Sequence, residues 1–286
     1  MKCSFGISEI RRARPLLGTF VEICAGGRTE EHLNWAIHRA FKAVERVHHL
    51  MSFHNETSDV SRINRLAFKE PVSIHPSTYE VLKTAQEIFA KTNGLFDCTI
   101  APLLVRWKYL PRFSRNNPSG NFLDVQLLPQ HQVKFKKSVM IDLGGIAKGF
   151  AVDQAVKELR KQGVSYGSVN AGGDLRIFGN RKQSIYVRDI QNPGKILRLG
   201  FARQIAFATS AHYFSQKQWR GKQVSAIVNP KDHSPCLTPE SISVFAPSCM
   251  IADALTKAVM LEGNPEAAFL KKFSARAILL KDPSRN

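Results

Sequence analysis

Asp142, the pair Gly144-Gly145 and Lys148 stand close together in the run Ile141-Asp142-Leu143-Gly144-Gly145-Ile146-Ala147-Lys148-Gly149. Paired glycines let backbone approach a ligand closely, and the free N–H groups at a helix start suit an anion. A carboxylate before the turn and an ammonium after it place opposite charges at its mouth. Phosphate binding is the chemistry these types support. A tight strand–helix connection with a surface lysine is the alternative from this stretch alone. A second group, Asp253, Thr256 and Lys257, falls in the first turns of a predicted helix, where the dipole favours an acid in any case. His54 lies in a dense polar loop, Met51 to Asn64, as a surface, capping or catalytic histidine. Asp97 follows Gly94-Leu95-Phe96 and either meets a ligand or caps the next turn. Neither GxxxxGK[ST] nor GxGxxG opens a helix here, so P-loop and Rossmann phosphate sites are excluded.

The elements that must position these residues follow from periodicity. Met140-Ile141 reads as the end of a buried strand, and the following helix carries Val152, Ala155, Val156 and Leu159 on one stripe. Thr29 to Met51 is an amphipathic helix with Leu33, Ala36, Ile37, Ala40, Phe41, Val44 and Val47 inward. Ser77 and Glu80 form a capping box for a helix that runs to Asn93-Gly94. Residues 16–25, 184–190, 197–201, 206–210 and 241–245 alternate or run apolar as strands, and residues 168–179 read as strand, glycine turn, strand. A helix from about Cys249 to Leu261 stops at Gly263, and a helix from Pro265 to Phe273 precedes a strand near residues 275–280. The segment 106–121, basic, aromatic and rich in turn residues, is expected as a solvated loop, with a lid or a partner surface as alternatives. Irregular interleaving of helices with hairpin-like strand pairs predicts an α+β fold, mixed or antiparallel sheets with packed helices, in one domain over 1–286 or two intimately packed lobes.

The formal net charge of +18 asks for an acidic partner: nucleic acid, an anionic membrane face or a phosphate-bearing ligand. Lys and Arg are spread along the chain without a dense run, which speaks against nucleic acid. No apolar run approaches the ~18 residues a membrane span needs. Five scattered cysteines without CxxC argue against a disulfide framework or zinc site and for a reducing, cytoplasmic setting.

Taken together, six ordered blocks resemble the ApbE family, flavin transferases that move FMN from FAD onto a threonine of a target protein. The blocks are Leu16–Phe20, Met51–Asn64, Gly94–Leu103, Ile141–Asp153, Val169–Gly179 with Ala208–Ser210, and Ala252–Gly263. The resemblance implies Mg²⁺ on the pyrophosphate of FAD, attack of the target hydroxyl on the FMN-side phosphorus, and AMP as leaving group. It carries flavin and adenine contacts onto Leu17, His54, Leu95, Phe96, Asp97, Asp142, Lys148 and Ile227. The metal would be held by the Gly145 carbonyl, the Asp253 carboxylate and the Thr256 hydroxyl, with Asp253, Lys257 and Lys148 as the catalytic set. The implied partners are FAD as substrate and an acceptor flavoprotein, a redox subunit, without nucleic acid or stable membrane insertion.

Three departures from the family pattern stand out. Leu17 replaces a usual Met, a volume-conserving change. The family's histidine is replaced around Ser225-Ala226, and Asn229 precedes Pro230 where the family has an acid. The metal-ligand threonine usually lies four residues after the aspartate. Here that place is Lys257, and Thr256 comes one residue early, about 100° around the helix. Losing a general base lowers a rate by about 10² to 10⁴, so an FAD-binding protein with weak or no transfer, or slow FAD hydrolysis to FMN and AMP, is the alternative expectation.

Overall fold

The computed structural model describes residues 8–113, 118, 120–189, 192, 194–211 and 216–280. Its spine is a seven-stranded antiparallel sheet. The strands are β1 (Ser8–Leu16), β2 (Thr19–Arg28), β6 (Tyr166–Ala171), β7 (Asp174–Gly179), β10 (Ile205–Ala211), β13 (Ser241–Ala246) and β14 (Arg276–Leu280), in that spatial order. Between them in sequence lie the short strands β3 (Val72–Ser73), β4 (Val125–Leu128) and β5 (Gln132–Phe135), which form a small sheet in the order β3-β5-β4. Two hairpins, β8 (Gln183–Arg188) with β9 (Ile196–Ala202) and β11 (Gln216–Trp219) with β12 (Lys222–Ser225), complete the strands among the described residues.

One face of the large sheet is covered by three helices set in the order of the strands beneath them. α1 (Glu30–Met51) packs on β1 and β2, α5 (Ala147–Lys161) on β6 and β7, and α6 (Cys249–Glu262) on β10 and β13. Their shared core includes the fully buried Leu33, Phe41, Val44, Phe150, Val152, Leu159, Leu255 and Val259. On the other face the β8–β9 hairpin lays Ile185 and Val187 against Ile177 and Phe207. Both faces are therefore apolar, as the strand pattern of β10 and β13 requires.

Most of the periodic elements fall where periodicity placed them. Thr29 caps α1, its side chain accepting from His32 N, and Gly263 ends α6 with φ 70°. Several expectations are corrected. The third helix, α3, spans Pro76–Lys91 and is capped by His75, whose ring accepts from Ser77 N, so the Ser77–Glu80 capping box is not the start signal. The polar run after α1 contains a helix, α2 (Asp59–Leu66), because Ser58 accepts from Ser61 N and the Asp59 carboxylate is buried on Thr78 Oγ1 and His75 N. The last predicted helix is a tight 3₁₀ segment, Ala268–Phe273. Of the basic loop, residues 114–117 and 119 lie outside the described residues. Its first part is not a solvated loop: a short helix, α4 (Ala101–Arg106), leads into Trp107, which is buried with Leu104 against Val224 and Val228.

Met140 and Ile141 are not in a strand either. Ile141 N donates to Asn64 Oδ1 at 2.8 Å and Ile141 O accepts from Asn64 Nδ2 at 2.9 Å. One amide side chain thus supplies the pair of bonds that a neighbouring strand would have given. Asp142 N then donates to Cys98 O, tying the glycine turn to the Gly94–Cys98 segment.

Candidate functional site

Asp253 is the anchor of the site. It lies on the first turns of α6, fully buried, and its carboxylate is held from three directions. Gly149 N donates to Oδ2 at 3.0 Å from the first turn of α5. Lys148 Nζ reaches Oδ1 at 3.4 Å, and Lys257 Nζ forms a close ion pair with Oδ1 from one turn along α6. Lys257 Nζ also donates to the Asp253 main-chain O at 2.8 Å. Lys148 Nζ has a second carboxylate, Asp174 Oδ2 at 2.7 Å, from the start of β7. The result is a neutral quartet of two buried carboxylates and two partly exposed ammoniums.

Local sequence explains the convergence. Gly149 lets α5 lie on α6: a Cβ there would sit 2.6 Å from the Cys249 carbonyl carbon and 2.8 Å from Asp253 Cβ. The α5 residue Asp153 accepts from Cys249 N and Met250 N, both at 3.0 Å, so a carboxylate on one helix holds the start of the next. Gly172 and Gly173, with φ of 62° and 104°, make the turn that delivers Asp174.

Electrostatics follow from burial and pairing. Burial alone would raise the Asp253 carboxyl, but Lys148 and Lys257 outweigh it and hold it below the usual carboxylate range. Asp174 goes the other way, pushed up to about 6 by burial and by repulsion from Asp253, with Lys148 opposing. Burial would lower the Lys148 ammonium; the two carboxylates overcome this and keep it charged at any ordinary pH.

Beside the quartet lies the glycine turn. A Cβ on Gly145 would be 3.4 Å from the Phe96 ring and 3.9 Å from Lys257 Cε, so Gly145, Phe96, Lys257 and Asp253 meet at one place. Leu95 and Phe96 are buried, and Asp97 accepts from Thr99 N and Thr99 Oγ1, both at 2.7 Å, as the cap of a 3₁₀ turn. Burial pushes the Asp97 carboxyl up against those bonds. Burial also raises Asp142 to about 6, although it accepts from Gly144 N and has the His54 imidazole nearby. His54 is exposed and lines a basic, aromatic cleft of about 1000 Å³ that also takes in Met140, Arg106, Lys108, Tyr109 and Trp219. The cleft therefore adjoins the Asp142 side of the turn, and the quartet does not line it.

A model of the ApbE family matches residues 17–279. The chain belongs to the ApbE family. Among curated proteins the FAD:protein FMN transferase of Vibrio cholerae is 28% identical over 246 residues, covering 78% of this chain and 72% of that one. The Escherichia coli K12 protein of the same name is 25% identical, with 77% of this chain and 68% of that one covered. Among solved structures, the ApbE protein of Thermotoga maritima superposes with a TM-score of 0.81 at 25% identity, covering 98% of both chains. The flavin transferase ApbE of Vibrio cholerae gives 0.77 at 22% identity, a likeness of fold.

Within this ApbE member the expected site residues fall into three groups. Lys148, Asp253, Lys257, Gly145 and Phe96 converge, with Leu95, Asp97, Asp142 and His54 on the adjoining walls. Leu17 lies in the tight β1–β2 turn, at φ 57°, a backbone conformation uncommon for a bulky side chain, and Thr19 of the same turn packs on the Gly172-Gly173 turn that delivers Asp174. Ile227 is buried just after β12, its N donating to Ser225 Oγ at 3.1 Å. Asp174 was not singled out from the sequence. Its signal was there in Gly172-Gly173-Asp174, which read as a plain hairpin.

The donor set expected for magnesium departs from what the ion needs. Thr256 is fully buried with its hydroxyl turned to the sheet, donating to Asp253 O at 2.7 Å and paired with Ser210 Oγ at 2.7 Å. This is the consequence of the 100° offset on the helix. Both oxygens of Asp253 are already engaged, and the Lys257 ammonium stands on the side facing Gly145. A divalent ion roughly 4 Å from that ammonium would meet about 8 kcal/mol of repulsion at an effective dielectric of about 20. The residues present do not fit the expected Gly145–Asp253–Thr256 centre.

Proposed function

We propose that this ApbE member transfers FMN from FAD onto a threonine of an acceptor flavoprotein, a redox subunit, and releases AMP. The observation that carries the reading is the pair of ammoniums, Lys148 and Lys257, fixed on one buried carboxylate beside Gly145 and Phe96. Each ammonium has three N–H donors: Lys257 spends two on Asp253 and keeps one for a phosphate oxygen, while Lys148 is held closely by Asp174 Oδ2 at 2.7 Å and only at long range by the two Asp253 oxygens, at 3.4 and 3.5 Å. Phosphoryl transfer asks for this kind of positioning and charge neutralisation more than for covalent help.

In the reaction the acceptor hydroxyl oxygen attacks the FMN-side phosphorus, and the phosphorus–oxygen bond to AMP breaks with its electron pair on AMP. The hydroxyl proton passes to water, so the products are a flavin phosphoester, AMP and a proton. Lys148 and Lys257 stabilise the charge that moves onto the pyrophosphate oxygens. Asp174 and Asp253 hold those ammoniums in register, which removes the reorganisation a mobile cation would need. Phe96 and Leu95 offer the apolar wall for the flavin, and Asp97 and Asp142 offer acceptors to the N–H donors of a base or the O–H donors of the adenosine ribose. We place the protein in the cytoplasm, a reading supported by the unpaired Cys24, Cys98, Cys236 and Cys249. No helix among the described residues is long and apolar enough to cross a membrane.

The test is incubation of the purified chain with FAD and a flavoprotein acceptor domain, followed by mass spectrometry of protein and nucleotide. Covalent FMN on a threonine with one AMP per adduct is the expected result. FAD that remains intact over many hours with several acceptors counts against the proposal.

A further inference from the structure

The Lys257 ammonium sits on the carboxylate that a hard cation at this turn would need. It bonds both the Asp253 carboxylate and the Asp253 main-chain O, and its stem runs past Gly145. Its position is fixed by the helix, since residues four apart on α6 lie one above the other. The Asp253 side chain is pinned in turn by Gly149 N. With Lys148 on the same carboxylate, the two negative charges of Asp174 and Asp253 are already balanced. A divalent ion entering would have to break an ion pair and then face two ammoniums.

We propose that Lys257 is a built-in cation that takes the place of the divalent ion, so that this protein binds the pyrophosphate of FAD without magnesium. The inference rests on the FAD reading given above. A tethered ammonium is always present at the site and a chelator cannot remove it. It carries one positive charge in place of two, but it retains an N–H that can point at a phosphate oxygen, which a bare ion lacks. A dinucleotide anion then meets the N–H groups of Lys148 and Lys257 as local, oriented donors, both ammoniums held by buried acids in a quartet that is neutral as a whole.

The deciding experiment measures FAD affinity of the full chain, by quenching of flavin fluorescence, in excess EDTA and in millimolar Mg²⁺. Agreement within about threefold, less than ~0.7 kcal/mol, is expected for the wild type. A larger loss in EDTA overturns the proposal. In parallel, Mn²⁺ is titrated with FAD present and followed by electron paramagnetic resonance. The wild type should leave the ion free in solution, and one tightly held Mn²⁺ per chain overturns the idea. Lys257→Thr, checked for folding by its thermal melt, should bind FAD about tenfold more weakly in EDTA and recover with Mg²⁺. A folded K257T that binds as tightly as wild type in EDTA refutes the role given to Lys257. Should no FAD bind under any condition, the flavin reading falls and this inference with it; magnesium-dependent binding would sink the inference alone.

Discussion

Gly149→Ala tests whether the contact between α5 and α6 builds the site. Helix propensity alone favours the change, because Ala is preferred to Gly within a helix by about 1 kcal/mol. Geometry opposes it. The new Cβ would fall 2.6 Å from the Cys249 carbonyl carbon and 2.8 Å from Asp253 Cβ, and the first of these is backbone that cannot rotate aside. Forcing a methyl into so tight a place costs about 1–3 kcal/mol. Separation of the helices would also weaken the bond from Gly149 N to the buried Asp253 carboxylate, worth about 1.5–3 kcal/mol for a charged acceptor. Net destabilisation of about 2–5 kcal/mol is therefore expected, read as a lower urea midpoint with unchanged slope, together with weaker FAD binding. Gly145→Ala is the control, since its Cβ would meet the Phe96 ring at an ordinary 3.4 Å and should shift stability by no more than about 1 kcal/mol. A Gly149→Ala protein as stable as the wild type, with FAD affinity intact, would refute the close packing on which Asp253 depends.

Asn64→Ala removes both bonds to the Ile141 backbone and leaves a buried N–H and C=O unpaired, so a loss of about 2–4 kcal/mol in urea denaturation is expected. Asp142 has a folded pKa near 6 against 3.8 for the free group, so the folded state binds the extra proton. Its contribution is fully present below about pH 4 and is lost as pH rises through about 6, by at most ~3 kcal/mol. Asp142→Asn should flatten the stability difference measured between those pH values; an unchanged slope argues against a half-buried, proton-holding Asp142. Asp174→Asn leaves Lys148 with Asp253 as its one carboxylate, and should lower the transfer rate with FAD more than it lowers FAD affinity. Equal losses in rate and affinity would mean that Asp174 matters only for binding.

The helices were legible because a buried stripe at helical spacing is a local signal, as in Leu33 to Met51 of α1. The edge strand β1 was not, since Glu9, Arg11, Arg12 and Arg14 give it the charged look by which edge strands avoid pairing with other chains. The helix α2 hid in a polar run because its hold on the core is a buried carboxylate rather than an apolar stripe. Ile141 looked like a strand for a sound reason: it is fully buried and its backbone is fully bonded, but the partner is a side chain 77 residues away. No local pattern announces such a pairing.

The site was partly legible for the same reasons. Lys148, Gly145 and Asp253 were visible as residue types at turns and helix starts, where backbone geometry makes chemistry cheap. What they do depended on which charges met. Asp174 and Asp253 are far apart in sequence, and only the antiparallel placement of β7 beside β10, with α6 packed on both, brings them to a single lysine. The shift of the hydroxyl from 257 to 256 reads in the sequence as a small offset. In the folded chain it becomes a change of chemistry, because one position faces Ser210 on the sheet and the other faces Gly145 at the turn. A lysine at the second position brings its own charge to a carboxylate that needs one. The buried acid is thereby satisfied before any ligand arrives, and under the proposed function an incoming anion would meet a surface already arranged for it.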